Sequence, residues 1–262
     1  STPIVDGMII NTESYKVRQS RKIALELLLS DHGGDCVAPC QDACPAGTDC
    51  QGYVGLLAGG YPEEALMLLK DSYPLPASLS RVCPHPCETA CRRGLKEGPV
   101  AIAALKQYAA DHDLASGNPF LPEVAPATGK KVAIVGAGPA GLTAAWFLAR
   151  KGHAVTIYDM MPKAGGMLRY GIPQYRLPKE VLDEEIALIE KLGVTILPNQ
   201  KLGRDIDLAT LRQNYHAVYL AIGAWQSSGL GCPGEELTGV YGGIDFLRQV
   251  IEGNPPAIGK RV

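Results

Sequence analysis

The sequence lacks a strong net charge and a recognisable export signal. It holds 25 Lys and Arg against 27 Asp and Glu, a formal net charge of −2, so we expect no general electrostatic attraction to nucleic acid or to an anionic membrane. The N-terminus has no basic segment followed by an apolar one, which argues against a signal peptide. We therefore predict a cytoplasmic protein that binds no nucleic acid.

The sequence also lacks a convincing transmembrane segment. One uncharged run of 18 residues lies between Lys131 and Arg150, which is barely long enough to span a bilayer. The Gly-Ala-Gly-Pro in its first third is typical of a strand that turns into a helix instead. With 262 residues, 46% of them hydrophobic and 20% charged, the chain fits a soluble globular protein of about two domains.

Cysteine is unevenly distributed, because seven of the eight cysteines lie within residues 36–91 and Cys232 stands alone. Disulfides suit small secreted scaffolds, which this chain does not resemble in composition. Zinc sites usually pair their thiols as C-x₂₋₄-C, which Cys36-x₃-Cys40 fits loosely. Iron–sulfur ligation explains more, because a cubane takes four ligands from a tight loop and from more distant residues. The candidate thiols are Cys36, Cys40, Cys44, Cys50, Cys83, Cys87 and Cys91.

Two cubanes would take about eight ligands, one more than these thiols supply. The segment Gly98–Asp113 offers a candidate, since its spacing predicts a helix with Ile102, Leu105 and Ala109 on the buried side. Gln107 lies close to that side, although its spacing alone is more typical of a surface helix residue.

The pattern VAPCQDACPAGTDCQGYV, followed by LPASLSRVCPHPCETACRR and VAIAALKQYAADHD, resembles the N-terminal cluster domain of the glutamate synthase small subunit. Dihydropyrimidine dehydrogenase and related NAD(P)H-linked iron–sulfur flavoproteins share this domain. The resemblance covers roughly residues 15–250 and implies a helical domain with two [4Fe-4S] clusters. It assigns one cluster to Cys44, Cys83, Cys87 and Gln107, and most of the other to Cys36, Cys40 and Cys91.

One ligand of the second cluster departs from the family pattern. Relatives usually have a further cysteine shortly before the position of Cys36, where this chain reads LLLSDHGGDC. Cys50 is the candidate substitute, and His32 is the weaker alternative. We therefore include Cys50 among the predicted metal ligands.

Residues 131–159 carry a dinucleotide-binding fingerprint. An apolar strand, Lys131–Val135, runs into Gly136-x-Gly138-x-x-Gly141, and a second strand ends at Asp159. The glycines allow a tight turn and close approach to a pyrophosphate, the helix N-terminus attracts phosphate, and the acid binds ribose hydroxyls. The fingerprint does not distinguish FAD from NAD(P); the family resemblance implies FAD. The predicted cofactor contacts are Gly136, Ala137, Gly138, Pro139, Ala140, Gly141, Asp159, Gly165, Gly166, Met167, Arg176 and Leu202.

The predicted fold class is an α-helical [4Fe-4S] domain followed by an α/β Rossmann-like, doubly wound FAD-binding domain that is truncated. We expect a leader at residues 1–13, similar to the exit of a ferredoxin-like domain, the cluster domain at 14–113, a proline-rich linker at 114–129 and the FAD domain at 130–262. The resemblance further implies that the chain is a piece of a longer protein, with an NAD(P)H domain elsewhere and no complete activity of its own.

The predicted function is an oxidoreductase that passes electrons from NAD(P)H through FAD and two [4Fe-4S] clusters. The partner would be a larger catalytic subunit, a fused redox domain or a ferredoxin. No catalytic acid or base is expected, because the cofactors perform the chemistry. Alternatives are an electron-transfer or docking module with a mainly structural flavin domain, part of a pyrimidine dehydrogenase-like or bifurcating enzyme, and a zinc-holding scaffold.

Overall fold

The computed structural model describes residues 3–34 and 36–261, which form a helical module followed by an α/β module. The helical module contains α1 (Tyr15–Ser30), α2 (Pro39–Asp42), α3 (Cys50–Ala58), α4 (Pro62–Ser72), α5 (Pro76–Val82), α6 (Pro86–Thr89) and α7 (Ile102–Ala115), with a 3₁₀ turn at Arg92–Leu95. The α/β module contains β1 (Lys131–Val135), α8 (Pro139–Arg150), β2 (Ala154–Tyr158), α9 (Met167–Tyr170), α10 (Lys179–Lys191), β3 (Thr195–Leu197), α11 (Leu208–Asn214), β4 (Ala217–Leu220) and α12 (Gly243–Ile251).

The four strands form one parallel sheet in the order β3-β2-β1-β4. One face of the sheet packs on α8 and α10, where Ile134 and Ile157 join Leu142 and Trp146 in the largest core cluster. On the other face, Ala133 and Val135 pack with Leu211 of α11. Helices therefore cover both faces, and the doubly wound α/β prediction is confirmed.

The core of the helical module lies between α3, α4 and α7. Tyr53 is 1% exposed and donates a hydrogen bond from its hydroxyl to the carbonyl of Ile102 at 3.1 Å. Ala65, Leu69, Cys50 and Cys87 belong to the same buried cluster, and Cys40, Cys44 and Cys91 pack against it. Most of the predicted thiol ligands therefore border the packed interior, whereas Cys36 is exposed.

Helix α7 differs from its prediction in its bounds and in its buried side. It begins at Ile102, after the predicted start at Gly98, and it ends at Ala115, just inside the expected linker. Ile102 and Ala109 are buried as predicted, but Leu105 is only half-buried, and Lys106, Ala110 and Asp113 take the remaining inward positions. These inward polar side chains find their partners on other elements of the fold. The periodicity of apolar residues in the sequence does not show which elements those are.

The start of the linker is held against the helical module by both ionic and backbone contacts. Lys70 of α4 pairs with Asp113 at 3.1 Å and donates to the carbonyl of Phe120 at 3.0 Å, while Asp113 accepts from the Phe120 amide at 2.8 Å. Both charged side chains are less than a tenth exposed, and removing one partner of such a pair costs about 3–5 kcal/mol. This buried pair therefore fixes the start of the linker.

The N-terminal helix α1 contributes nothing to either core, because none of its residues is buried. In the part of the chain that the structure describes, no helix combines the length and the apolar character needed to cross a membrane.

Candidate functional site

Two matching turns place the cysteines. Pro39-Cys40-Gln41-Asp42-Ala43-Cys44 and Pro86-Cys87-Glu88-Thr89-Ala90-Cys91 each form one short helix whose first residue is a proline. Proline suits this position because its missing N–H would have no partner in the helix. The two short helices contact each other, so the two cysteine groups meet in space although more than 40 residues separate them.

Four thiols line one cavity of about 390 Å³: those of Cys36, Cys40, Cys50 and Cys91. Four cysteine thiols are the donor set that a [4Fe-4S] cluster takes, so these residues fit the group that the sequence predicts. Val54, Val100 and Ile102 supply apolar walls. The cavity draws on four separate segments of the chain and includes Cys50, the residue whose role the sequence left open.

Cys50 is the least exposed of these thiols. It is the first residue of α3, is 3% exposed, and its Sγ lies 3.6 Å from the carbonyl oxygen of Cys40. Burial, together with the neighbouring thiols of Cys87, Cys44 and Cys40, raises the pKa of Cys50 to about 12. A bound metal deprotonates a thiol outright, so a positively charged iron centre is the partner that this buried sulfur suits.

His32, the alternative ligand, stands outside this arrangement. Its Nε2 lies 4.0 Å from Sγ of Cys36, but the residue is exposed and does not line the cavity. Its Nδ1 accepts a hydrogen bond from the amide of Gly34 at 3.0 Å, which is typical of a residue at a helix end.

The thiols of Cys44, Cys83 and Cys87 form the second predicted set. Burial and the nearby Cys83 raise the pKa of Cys87. Partial burial alone would raise the pKa of Cys44, but hydrogen bonds with Thr48, including one to its hydroxyl at 3.5 Å, lower it overall. Cys83 directly follows α5 and caps its C-terminal end.

Gln107 is half-buried, and its amide nitrogen donates to Oδ2 of Asp111 at 3.3 Å. Arg81 holds the same carboxylate with two hydrogen bonds of 2.9 and 3.0 Å. Because an ionised carboxylate only accepts hydrogen bonds, the nitrogen of Gln107 must face Asp111. The amide oxygen, which is the atom that would bind iron, is left on the opposite side.

Lys106 is a residue of this site that the sequence reasoning missed. It is 8% exposed, and its Nζ lies 5.8 Å from the centre of the Tyr73 ring. Its positive charge makes a minor contribution that favours the thiolates of Cys44 and Cys87, although burial still leaves the pKa of Cys87 raised. Lys106 falls between Ile102 and Ala109 on the inward face of α7. In the sequence, the sign of this role is that a lysine falls on the helix face that is predicted to be buried.

The thiols do not form a compact single-ion site. Within the described ranges, no three His, Cys, Asp or Glu side chains converge closely enough to hold a metal ion. Zinc requires a tight tetrahedral arrangement of its ligands, whereas a cubane spreads four thiolates around a larger group.

The α/β module carries a phosphate-binding turn between β1 and α8. Gly136 has a φ of +111°, and a Cβ there would lie 2.2 Å from the carbonyl oxygen of Ala221, so only glycine fits. Gly138 caps α8, and Gly166 lies against it, since a Cβ on Gly166 would come within 2.7 Å of the Gly138 Cα. The N-terminus of α8 therefore opens onto a narrow cradle built from backbone.

Asp159 ties this turn to the end of β2. It is 6% exposed, and its two carboxylate oxygens accept hydrogen bonds from the amides of Ala137 at 2.5 Å and Met161 at 2.8 Å. Each oxygen retains a further lone pair for a ligand hydroxyl. Asp159 thus stabilises the loop as well as facing the cradle.

Two adjoining cavities of about 290 and 230 Å³ follow the ends of β1, β2 and β4, and both are lined by Gly136, Asp159, Ile222 and Trp225. Ligands of open parallel sheets bind at this edge. Trp225 is half-exposed on the cavity walls, 5.7 Å from the ring of Tyr170. The predicted contacts that line one or both cavities are Gly136, Gly138, Pro139, Ala140, Asp159, Gly166, Met167 and Leu202.

The other predicted contacts lie elsewhere. Ala137 is fully buried, and a Cβ on Gly141 would lie 1.9 Å from the carbonyl oxygen of Gly136, so Gly141 serves helix–strand packing. Gly165 donates its amide to the Ala137 carbonyl at 2.8 Å. Arg176 is exposed and lines neither cavity.

Comparison with known proteins divides the chain in the same way. Residues 31–118 match the family described as dihydropyrimidine dehydrogenase domain II, 4Fe-4S cluster, and residues 134–191 match the NAD(P)-binding Rossmann-like domain. The chain is 37% identical over 216 residues to the glutamate synthase (NADPH) small chain of Mycobacterium tuberculosis, with 81% of this chain and 44% of that protein covered. Over the matched residues the chain is thus similar to the glutamate synthase small subunit and carries a 4Fe-4S cluster domain and a Rossmann-like domain.

Two further relatives carry other names. The NADPH-Fe(3+) oxidoreductase subunit beta of Geobacter sulfurreducens is 44% identical over 232 residues, with 86% of this chain and 34% of that protein covered. The NAD-dependent dihydropyrimidine dehydrogenase subunit PreT of Escherichia coli K12 is 39% identical over 214 residues, with 81% and 51% covered. The chain therefore spans about a third to a half of the length of these relatives.

Proposed function

We propose that the chain is the electron-transferring module of an NAD(P)H-dependent oxidoreductase. When bound, FAD would accept a hydride from NAD(P)H, and two [4Fe-4S] clusters would carry single electrons onward. The names of the relatives support this class, since NADPH-Fe(3+) oxidoreductase and glutamate synthase (NADPH) both denote nicotinamide-dependent oxidoreductases. Because the relatives carry different names, the final electron acceptor would depend on the partner.

The observation that carries the proposal is the four-thiol cavity in a module that packs directly on a dinucleotide-binding sheet. Leu75, which precedes the helix leading to Cys83, lies in the same core cluster as Ile134 and Leu142 of the α/β module. Ligand loops and dinucleotide cradle thus belong to one packed body, as transfer between two cofactors requires.

The residues of the chain would serve as ligands and as a cradle. The backbone amides at the start of α8 would bind the pyrophosphate of FAD, and Asp159 would accept a hydroxyl of its ribose. We assign Cys36, Cys40, Cys50 and Cys91 to one cluster and Cys44, Cys83, Cys87 and Gln107 to the other. The remaining assigned FAD contacts are Gly136, Ala137, Gly138, Pro139, Ala140, Gly141, Gly165, Gly166, Met167, Arg176 and Leu202.

The same proposal assigns residues 14–113 to the cluster domain and 130–262 to the FAD domain, with NAD(P)H bound by a further domain. The partner would be a larger catalytic subunit, a fused redox domain or a ferredoxin, and the setting the cytoplasm. The relatives named as subunits or as a small chain support a multi-component enzyme.

The test is anaerobic reconstitution of the chain with iron, sulfide and FAD. We expect about eight iron atoms and eight acid-labile sulfides per chain, the visible spectrum of protein-bound flavin, and bleaching of the clusters when the flavin is photoreduced. A preparation that stays colourless and free of iron would contradict the proposal.

A second candidate, an electron-transfer or docking module with a mainly structural flavin domain, is favoured by one observation. The amides of Ala137 and Met161 each donate to one oxygen of Asp159, so the chain itself supplies hydrogen bonds that hold this turn. This alternative predicts full cluster content with little bound FAD in the same experiment.

A further inference from the structure

Glu185 is a carboxylate buried at the contact between the two modules. It lies in α10 of the α/β module and is 1% exposed. Its Oε1 accepts a hydrogen bond from the amide of Ala77 at 2.7 Å, and its Oε2 accepts one from the amide of Ser78 at 2.8 Å. Carboxylates are rarely buried without such partners, and here both partners come from α5 of the helical module.

Helix α5 leads from this carboxylate to the proposed cluster ligands. It begins at Pro76 and ends at Val82, and Cys83 caps it. Arg81, near its end, holds Asp111 of α7, which in turn accepts the hydrogen bond from Gln107. A shift of the α5 N-terminus would therefore move Cys83 directly and Gln107 through the ion pair.

The charged groups near Glu185 come from two elements of the helical module. Lys70 of α4 faces it, is paired with Asp113 of α7, and lowers the pKa of Glu185. Burial has the larger effect and raises the pKa of Glu185 to about 7, against the lowering by the α5 hydrogen bonds. Since Asp113 already neutralises Lys70, the α5 amides are the direct partners of the Glu185 oxygens.

We propose that Glu185 is a positioning residue, which fixes the cluster module on the dinucleotide module and thereby sets the place of Cys83 relative to the flavin cradle. Its effect on electron transfer rests on the proposed function; the docking contact itself does not. Two oxygens matched to two neighbouring amides define both the distance and the rotation of α5 relative to α10. Apolar packing through Leu75 stabilises the contact but permits sliding.

The first test compares Glu185→Gln with Glu184→Gln by hydrogen–deuterium exchange in the chain at about pH 8, above the pKa of Glu185. Glutamine keeps the size of the side chain but turns an NH₂ donor toward one of the two amides. We expect the peptide covering residues 76–83 to exchange at least about tenfold faster in Glu185→Gln, a factor set by the loss of about 1.4 kcal/mol. The exposed Glu184 undergoes the same chemical change in the same helix, and exchange in that variant should match the wild type.

The second test measures how fast the clusters bleach after photoreduction of the flavin in the reconstituted chain. Glu185→Gln should slow bleaching severalfold while its iron, sulfide and FAD contents stay at wild-type values. Glu185→Asp, which keeps the charge but is shorter by one methylene, should lie between the two, and it replaces the glutamine variant if the latter does not fold.

The outcomes separate the two proposals. Unchanged exchange at residues 76–83 would overturn the docking role of Glu185, whatever the cofactors do. Faster exchange with an unchanged bleaching rate would overturn its positioning role. A wild-type chain that binds neither cluster nor FAD would contradict the proposed function, and the positioning role with it, yet the exchange result would still decide the docking contact.

Discussion

The properties of each thiol in this protein depend on what surrounds it. Cys50 is enclosed by other sulfurs and an apolar wall, and its pKa rises to about 12. Cys91 is more exposed, and hydrogen bonding with the backbone at Val100 and Arg93 lowers its pKa. Exposed thiols near backbone N–H groups are ready to bind metal, whereas Cys50 becomes a good ligand only when iron compensates its charge.

Cys50→Ser should remove one cluster and leave the other. We expect anaerobic reconstitution to yield about four iron atoms per chain instead of about eight, measured together with acid-labile sulfide. Cys232→Ser changes an exposed thiol outside the four-thiol cavity and serves as the control with full iron content. If His32→Ala lost the iron and Cys50→Ser kept it, the ligand assignment would be wrong.

Lys106→Met should lower the midpoint potential of the cluster assigned to Cys44, Cys83 and Cys87. The positive charge of Lys106 favours the thiolates of Cys44 and Cys87, and a reduced cluster is more negative than an oxidised one. Loss of that charge should cost about 1 kcal/mol, or roughly 40 mV for one electron, measured by redox titration followed by electron paramagnetic resonance. Lys106→Arg keeps the charge and should restore most of the potential; equal potentials in all three proteins would contradict this role.

Among the structural elements, the turn between β1 and α8 separates two uses of glycine. A Cβ on Gly141 would lie 1.9 Å from the Gly136 carbonyl oxygen, whereas a Cβ on Gly138 would meet only the Gly166 Cα at 3.8 Å. Helix–strand packing therefore depends on Gly141, and access of a phosphate to the helix N-terminus depends on Gly138.

Gly141→Ala and Gly138→Ala should consequently fail in different ways. Gly141→Ala should destabilise the fold by about 1–3 kcal/mol, because backbone must shift to accommodate the methyl group, and urea unfolding of the chain without cofactors measures this loss. Gly138→Ala should leave the unfolding curve within about 0.5 kcal/mol of the wild type but weaken FAD binding, measured by fluorescence titration. An unfolding curve for Gly141→Ala that matches the wild type would contradict this division.

At the scale of the whole molecule, the two modules share a core and also a titratable contact. Leu75 and Leu79 of the helical module pack on the sheet, and Glu185 accepts two hydrogen bonds beside them. By contrast, the Arg150–Asp71 ion pair between the modules is largely exposed at Asp71 and contributes little by itself. Because Glu185 is buried, its carboxylate bears most of the electrostatic cost of docking the two modules.

The stability of the folded chain should therefore depend on pH through Glu185. Its pKa is about 7 when folded and 4.5 in the ordinary state, so the folded chain holds a proton that the unfolded chain releases. The stabilising contribution of the protonated side chain is complete below about pH 4.5 and is lost as the pH rises to about 7, by roughly 3 kcal/mol at most. Urea unfolding at several pH values in this window, compared between the wild type and Glu185→Gln, measures it.

Glu184→Gln again provides the control, since its side chain is exposed on the same helix. The difference in unfolding free energy between wild type and Glu185→Gln should change across the window, while that between wild type and Glu184→Gln should stay constant. A constant difference in both cases would show that Glu185 keeps its ordinary pKa in the folded chain.

Much of the architecture follows from local sequence alone. The spacing of Gly136, Gly138 and Gly141 between two apolar strands specifies a strand–turn–helix unit, because each glycine stands where the unit has little room for a side chain. Asp207 caps α11, accepting from the Thr210 amide at 2.8 Å, as an acid before a helix predicts. The prolines of the two PC-x-x-AC turns likewise favour the start of a short helix at their own positions.

The sequence by itself thus determined the element types, the two modules and the identity of the candidate ligands. Tertiary structure alone decided that Cys50 shares a cavity with Cys91, that Lys106 faces the thiols, and that Glu185 reaches across to α5. The physical reason is that periodicity reveals which face of a helix is buried but not which element covers it. A buried polar residue is stable only because of partners distant in the chain, and those partners exist only once the chain has folded.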